Sequence, residues 1–140
     1  MMMNNLRMSM IDDNKTVLTV TSTMLQNNGR INSENTMDLF DNPDDFLKTI
    51  EEKGANYYGI IIVDQDFGIN KLGGLDIVRL IQYKDFCGAV IFFTGDASIS
   101  AGINSTLVGN IHYIVKNSLG GPADTIRMLS AMILWIRRNQ

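Results

Sequence analysis

The chain has a single cysteine, Cys87, in 140 residues. That excludes an internal disulfide and any cysteine-based zinc cluster. It has a single histidine, His112, so no two-histidine metal site can form within the chain. His112 also lies in an apolar stretch, Ile111-His112-Tyr113-Ile114-Val115, where a packed or edge role is expected ahead of a catalytic one. Basic residues are not in excess: 12 Lys and Arg against 15 Asp and Glu give a net charge of −3. That is the wrong sign for a general nucleic-acid binder, and no direct nucleic-acid contact is expected. No apolar run approaches the ~18–20 residues that span a bilayer. Met1-Met2-Met3-Asn4-Asn5 lacks the charged-then-apolar pattern of a secretory signal. The expected location is therefore the cytoplasm, without membrane contact, and the sequon Asn14-Lys15-Thr16 is read as chance.

What is present is ordinary in bulk and distinctive in places. Apolar residues make up 45% and charged residues 19%, as in a soluble domain with one core. The sharpest local feature is Ile60-Ile61-Ile62-Val63-Asp64. Four branched apolar residues running into a carboxylate read as a strand buried on both faces of a parallel sheet. The aspartate then stands at the carboxyl edge, where open α/β folds place their chemistry. It can serve there as a metal ligand, a nucleophile, or both.

Strand-like and helix-like segments alternate along the chain. Strands are expected over 6–11, 30–35, 59–64, 89–94 and 111–116. Helices are expected over 15–26, 43–53 and 75–83, within 98–108, and over 122–138. The first helix is rich in threonine and valine, and propensity alone would make it a strand. Val17, Leu18, Thr21, Met24 and Leu25 nevertheless recur at helical spacing, and Asn28-Gly29 gives a stop signal. Asn42, Pro43 and Asp44-Asp45 suit a helix cap, its first position and its positive end. Segment 30–35 is polar, as an edge strand can be, and Gly102 weakens the fourth helix. Five βα units joined by right-handed crossovers give a single doubly wound five-stranded parallel sheet.

Chemistry-bearing residues fall at the carboxyl ends of the expected strands: Asp12-Asp13 after the first, Asp64 ending the third, Thr94 the fourth and Lys116 the fifth. If those strands are neighbours, the four ends share one pocket. Three carboxylates and one ammonium sum to −2, and crowded carboxylates raise each other's pKa unless compensated. A hard divalent cation balances the sum, and Mg2+ favours a few carboxylates with waters and a phosphate oxygen. A carboxylate beside Mg2+, facing a hydroxyl and a lysine, is suited to accept a phosphoryl group.

At this point the chain resembles the CheY-like receiver domains of two-component response regulators. The resemblance rests on Met10-Ile11-Asp12-Asp13-Asn14, Ile62-Val63-Asp64, Phe92-Phe93-Thr94-Gly95, Tyr113-Ile114-Val115-Lys116 and Gly73-Gly74-Leu75-Asp76. It covers residues 5–138 as one receiver domain, with residues 1–4 expected to be disordered. It implies a flavodoxin-like (βα)5 fold with strand order 2-1-3-4-5. It implies that Asp64 is phosphorylated, that Asp13 and Asp64 bind Mg2+ directly, and that Asp12 does so through water. The backbone carbonyl of Asp66 supplies a further ligand, Thr94 and Lys116 contact phosphoryl oxygens, and Tyr113 follows Thr94 as the switch aromatic. Such a domain is not an enzyme on other substrates; it catalyses only its own phosphorylation and dephosphorylation. The implied partner is a sensor histidine kinase or a histidine phosphotransfer protein. The implied output surface, and the route to a homodimer, is the fourth helix, fifth strand and fifth helix. The chain departs from the family pattern in its long loop 65–72, which has no proline, in Asn117 after Lys116 where proline is usual, and in Gly95.

That loop leaves two acceptors to weigh. Counted back from Gly74, the common family spacing points to Asp66. Burial points to Asp64, because the alternative places Asp64 and Gln65 inside a strand covered on both faces. Loops absorb a two-residue insertion cheaply, so Asp64 is preferred and Asp66 is the runner-up. Two rival readings remain. One is a receiver-shaped interaction module that no longer switches. The other is a haloacid-dehalogenase-type phosphatase, suggested by Asp64-Gln65-Asp66, although that motif usually opens its chain. In the last helix, Ile126, Leu129, Ile133 and Ile136 form a stripe suited to the sheet, and Met128, Met132 and Trp135 form a second stripe suited to a partner. No effector domain is expected after the last helix, which leaves a single-domain regulator or a fragment of a larger one.

Overall fold

In the computed structural model, residues 7–68, 71–96, 98, 109–116 and 121–139 are described. Strands β1 (Met8–Ile11), β2 (Met37–Phe40), β3 (Ile60–Val63), β4 (Ala89–Thr94) and β5 (Ile111–Val115) form one sheet in the order β2-β1-β3-β4-β5. Every neighbouring pair is parallel. The described helices are α1 (Lys15–Asn27), α2 (Pro43–Lys53), α3 (Gly74–Tyr83) and α4 (Gly121–Arg138). The last of these is the helix expected from Pro122. The helix expected within 98–108, apart from Ser98, the N-terminal segment 1–4 and Asn117 lie outside the described residues. Among the described residues, no helix is long and apolar enough to cross a membrane.

The two faces of the sheet follow from strand alternation. Ile11, Ile61, Val63, Val90 and Phe92 pack with Phe46 and Ile50 of α2 and with Ile77, Val78 and Ile81 of α3. Met8, Met10, Ile60, Ile62, Ile91 and Phe93 pack with Leu18 and Leu25 of α1 and with Ile126, Leu129, Ile133 and Ile136 of α4. Both faces of β3 and β4 are therefore dry, which accounts for their unbroken apolar sequences. Fully burying one such isoleucine is worth about 1.5–3 kcal/mol. Threonine-rich α1 is a helix because burial of Leu18, Thr21 and Leu25 outweighs propensity. The side chain of Asn14 accepts the Val17 N–H at its start. At its end Gly29 takes φ +82° while the Arg30 N–H closes on the Leu25 carbonyl.

The second strand is displaced from its expected place. Segment 30–35 is a turn, because the Asn32 side chain accepts N–H groups of both Glu34 and Asn35 at 2.9 Å. Such a local side-chain acceptor competes with sheet pairing. The strand begins at Met37, which registers with Met8, and Phe40 registers with Ile11. It is an edge strand, with Asp38 and Leu39 exposed.

One polar atom is out of place in this core. Ser9 of β1 is fully buried, and its hydroxyl has no hydrogen-bond partner among the described residues. An unmet buried polar group costs about 1–3 kcal/mol. Ser9→Ala is therefore expected to leave stability unchanged or raise it by up to about 1 kcal/mol. Urea unfolding checks this; a clear loss would mean that the hydroxyl holds a bond.

Candidate functional site

The strand order brings the carboxyl ends of β1, β3, β4 and β5 side by side. Ile11 registers with Val63, Val63 with Phe92, and Thr94 with Val115. Asp12 and Asp64 therefore leave the sheet abreast, Thr94 rises one residue above them, and Lys116 follows next to Thr94. Backbone bonds fix these exits: Asp64 N–H to the Ile11 carbonyl at 3.0 Å and Lys116 N–H to the Thr94 carbonyl at 2.7 Å.

Carboxylate oxygens of Asp12, Asp13 and Asp64 lie within 4.8 Å of one another. Asp12 is buried and Asp64 nearly so, while Asp13 is exposed. The Lys116 ammonium bridges two of the three, at 2.5 Å from Asp12 Oδ2 and 3.4 Å from Asp64 Oδ2. It also lies 5.4 Å from the centre of the Phe93 ring, which flanks it with a π face. Burial raises the Asp12 carboxyl above its ordinary value, against the opposing pull of Lys116 and of the Asn14 N–H. The Asn14 N–H donates to Asp12 Oδ1 at 2.9 Å, and the Gln65 N–H donates to Asp64 Oδ1 at 2.7 Å. Each acid is thus oriented by a peptide N–H just beyond its strand. Buried Thr94 accepts the Asp96 N–H through Oγ1 at 3.2 Å, and a threonine hydroxyl that accepts can still donate. Of these residues Asp13, Asp64, Gln65, Thr94 and Asp96 line a cleft of about 780 Å³, together with Asp66 and Asp76.

Asp64 and Asp66 differ sharply in their surroundings. The strand stops at Val63, and Asp64 joins the Asp12, Asp13 and Lys116 cluster. Asp66 is exposed, and its Oδ1 accepts the Gly68 N–H at 2.9 Å, closing a turn within the loop. The ends of that loop meet: the Gly74 N–H reaches the Gln65 carbonyl at 3.0 Å. A loop whose ends close in this way can lengthen without moving the elements it joins.

Sequence reasoning missed Gln65. Its side-chain oxygen accepts the Leu75 N–H at 2.9 Å, the bond a helix cap normally makes. The signal was present: the cap position of α3 is Gly73, which has no side chain, so an acceptor must come from elsewhere. Gly74 also has a geometric reason to be glycine, since a Cβ there would lie 2.3 Å from the Asp64 carbonyl oxygen.

On the flank, Tyr113 of β5 is 47% exposed, and Met128 and Trp135 of α4 are 51% and 54% exposed. Met132 packs partly against the core. His112 meets Trp135 edge to face with ring centres 5.7 Å apart, and burial lowers its pKa.

No protein-family model matches the sequence, and no curated protein matches it. Solved structures do match. A response regulator receiver domain protein from Clostridium thermocellum is 24% identical, with a TM-score of 0.72 over 95% of this chain and 94% of that one. The receiver domain of Francisella response regulator 1452 is 17% identical, with a TM-score of 0.71 over 95% and 97%. A Thermotoga maritima response regulator solved in complex with Mg2+-BeF is 20% identical, with a TM-score of 0.67 over 91% and 97%. The chain has the flavodoxin-like fold of CheY-like receiver domains over nearly its whole length.

Proposed function

We propose that the chain is the phosphoacceptor receiver domain of a two-component system. One observation carries this reading: Asp64 stands within 4.8 Å of Asp12 and Asp13 and in contact with Lys116, where four parallel strands end beside Thr94. The donor set fits Mg2+, which takes carboxylate and carbonyl oxygens and keeps waters. Asp13 and Asp64 would hold it directly, Asp12 through water, and the Asp66 carbonyl would complete the protein ligands. When bound, it supplies positive charge to the oxygens of the transferring phosphoryl group. A carboxylate is ionised at neutral pH, so Asp64 attacks without a general base. The new bond joins a carboxylate oxygen of Asp64 to phosphorus. The bond from phosphorus to the donor breaks, and the donor leaves with that electron pair. Lys116 then pairs with a phosphoryl oxygen instead of Asp12, and the Thr94 hydroxyl donates to another. Water then attacks phosphorus, the bond from phosphorus to Asp64 breaks, and inorganic phosphate leaves while Asp64 is again a free carboxylate.

The donor in this reading is a histidine kinase or a histidine phosphotransfer protein. The output is a population shift in which Thr94 and Tyr113 move together and change the surface carried by β5, α4 and the segment before β5. Exposed Tyr113, Met128 and Trp135 lie on that surface, suited to a partner or a second copy.

The test is incubation of the chain with acetyl phosphate and Mg2+. The expected result is a mass increase of one phosphoryl group, lost when EDTA is present. Sedimentation of the same sample reads whether labelling changes the association state. No mass increase at any Mg2+ concentration would overturn the assignment.

A further inference from the structure

Gln65 uses three polar groups at once. Its N–H donates to Asp64 Oδ1 at 2.7 Å, its carbonyl accepts the Gly74 N–H at 3.0 Å, and its side-chain oxygen accepts the Leu75 N–H at 2.9 Å. The first bond orients a carboxylate of the site. The other two take the first two N–H groups of α3, which no bond within the helix can satisfy. The cap residue Gly73 has no side chain with which to compete. A Cβ on Gly73 would in fact fall 2.7 Å from the Gln65 amide nitrogen, so the amide fills the space a normal cap would use.

These contacts join the acceptor strand to α3 across the base of a long loop. If the Gln65 amide let go, only the bond from the Gly74 N–H to its carbonyl would tie it to α3, and its own N–H would gain freedom to leave Asp64 Oδ1. The two carboxylate oxygens are at present unlike: Oδ1 is engaged by the peptide N–H, while Oδ2 faces Lys116 at 3.4 Å. We propose that Gln65 is a positioning residue for Asp64: by capping α3 from the end of β3, its side chain holds its own peptide N–H on Oδ1 and so keeps Oδ2 toward Lys116. The inference rests on Asp64 being the phosphoryl acceptor. It adds a residue outside the metal ligands and phosphoryl contacts proposed above, one that acts through the orientation of the carboxylate.

The test separates helix capping from carboxylate positioning in the full chain. One variant is Gln65→Ala. The second combines Gln65→Ala with Gly73→Ser, which puts an ordinary cap on α3 in the space vacated by the amide. Three quantities are read: amide hydrogen exchange at residue 65, amide exchange at Leu75, and the labelling rate at saturating acetyl phosphate and Mg2+. Gln65→Ala is expected to speed exchange at both amides by about tenfold or more. Its labelling rate is expected to fall about tenfold, as a misplaced reacting group does. In the double variant, Leu75 protection returns, while residue 65 exchange and the labelling rate stay impaired. If the double variant recovers all three, Gln65 is only a helix cap and the proposal is overturned. It is overturned equally if Gln65→Ala leaves residue 65 exchange unchanged. Should the unaltered chain take no phosphoryl group, the acceptor reading fails, and exchange at residue 65 still decides whether Gln65 holds the carboxylate.

Discussion

Asp64→Asn is expected to reduce labelling by acetyl phosphate to background, while Asp66→Asn keeps it within the same order of magnitude. An amide has no anionic oxygen with which to attack, so the first change removes the proposed nucleophile itself. The second removes an exposed carboxylate whose contact is the Gly68 N–H of its own loop, and asparagine can accept that bond equally well. Stability gives a second, independent readout. Without metal, Asp12, Asp13 and Asp64 crowd their negative charge around one lysine. Loss of the Asp64 charge therefore relieves repulsion. Asp64→Asn is expected to unfold at the same temperature as the unaltered chain or a higher one when EDTA is present. Added Mg2+ should raise the melting temperature of the unaltered chain, because a ligand that binds only the folded state stabilises it. In Asp64→Asn that rise should largely vanish. Labelling retained in Asp64→Asn and lost in Asp66→Asn would move the acceptor two residues along the loop.

Gly74→Ala is expected to destabilise the fold by about 1–3 kcal/mol, the usual cost of forcing atoms into a packed site. The sign makes this a strict test. Within a helix, alanine is favoured over glycine by about 1 kcal/mol, so propensity alone forecasts a gain. The new Cβ would lie 2.3 Å from the Asp64 carbonyl oxygen and 3.2 Å from the Gln65 Cα. Those are backbone atoms with no rotamer to yield. Relief must come from shifting α3 or the acceptor peptide, so the labelling rate should fall together with stability. Urea unfolding and acetyl phosphate labelling measure the two effects. A more stable, fully active Gly74→Ala variant would show that α3 does not press on the acceptor peptide.

The parts of this molecule that were legible in its sequence were those fixed by local burial. Ile60–Val63 and Ala89–Thr94 are dry on both faces, so their apolar runs end where the sheet ends and mark Asp64 and Thr94 directly. The stripe of Ile126, Leu129, Ile133 and Ile136 announced the buried face of α4 for the same reason. The second strand was misplaced because an edge strand needs little apolar content to pair. What positions it is an asparagine turn and its register with Met8, and neither leaves a periodic trace. Gln65 escaped notice because its cap reaches Leu75, ten positions away. Pattern reading is sensitive to neighbours three and four residues apart on a helix, and it does not see a bond that closes a loop.

The bond between Lys116 and Asp12 joins groups 104 positions apart. Bringing such distant segments together carries a large loop-closure cost. With β5 undocked from β4, the carboxylates that follow the first and third strands would stand together without the ammonium of Lys116. A chain arrested in that form would keep its acidic cluster and lack the counterion that faces Asp12 and Asp64. In the proposed function, phosphoryl uptake would require the completed sheet, and labelling would count only fully assembled molecules.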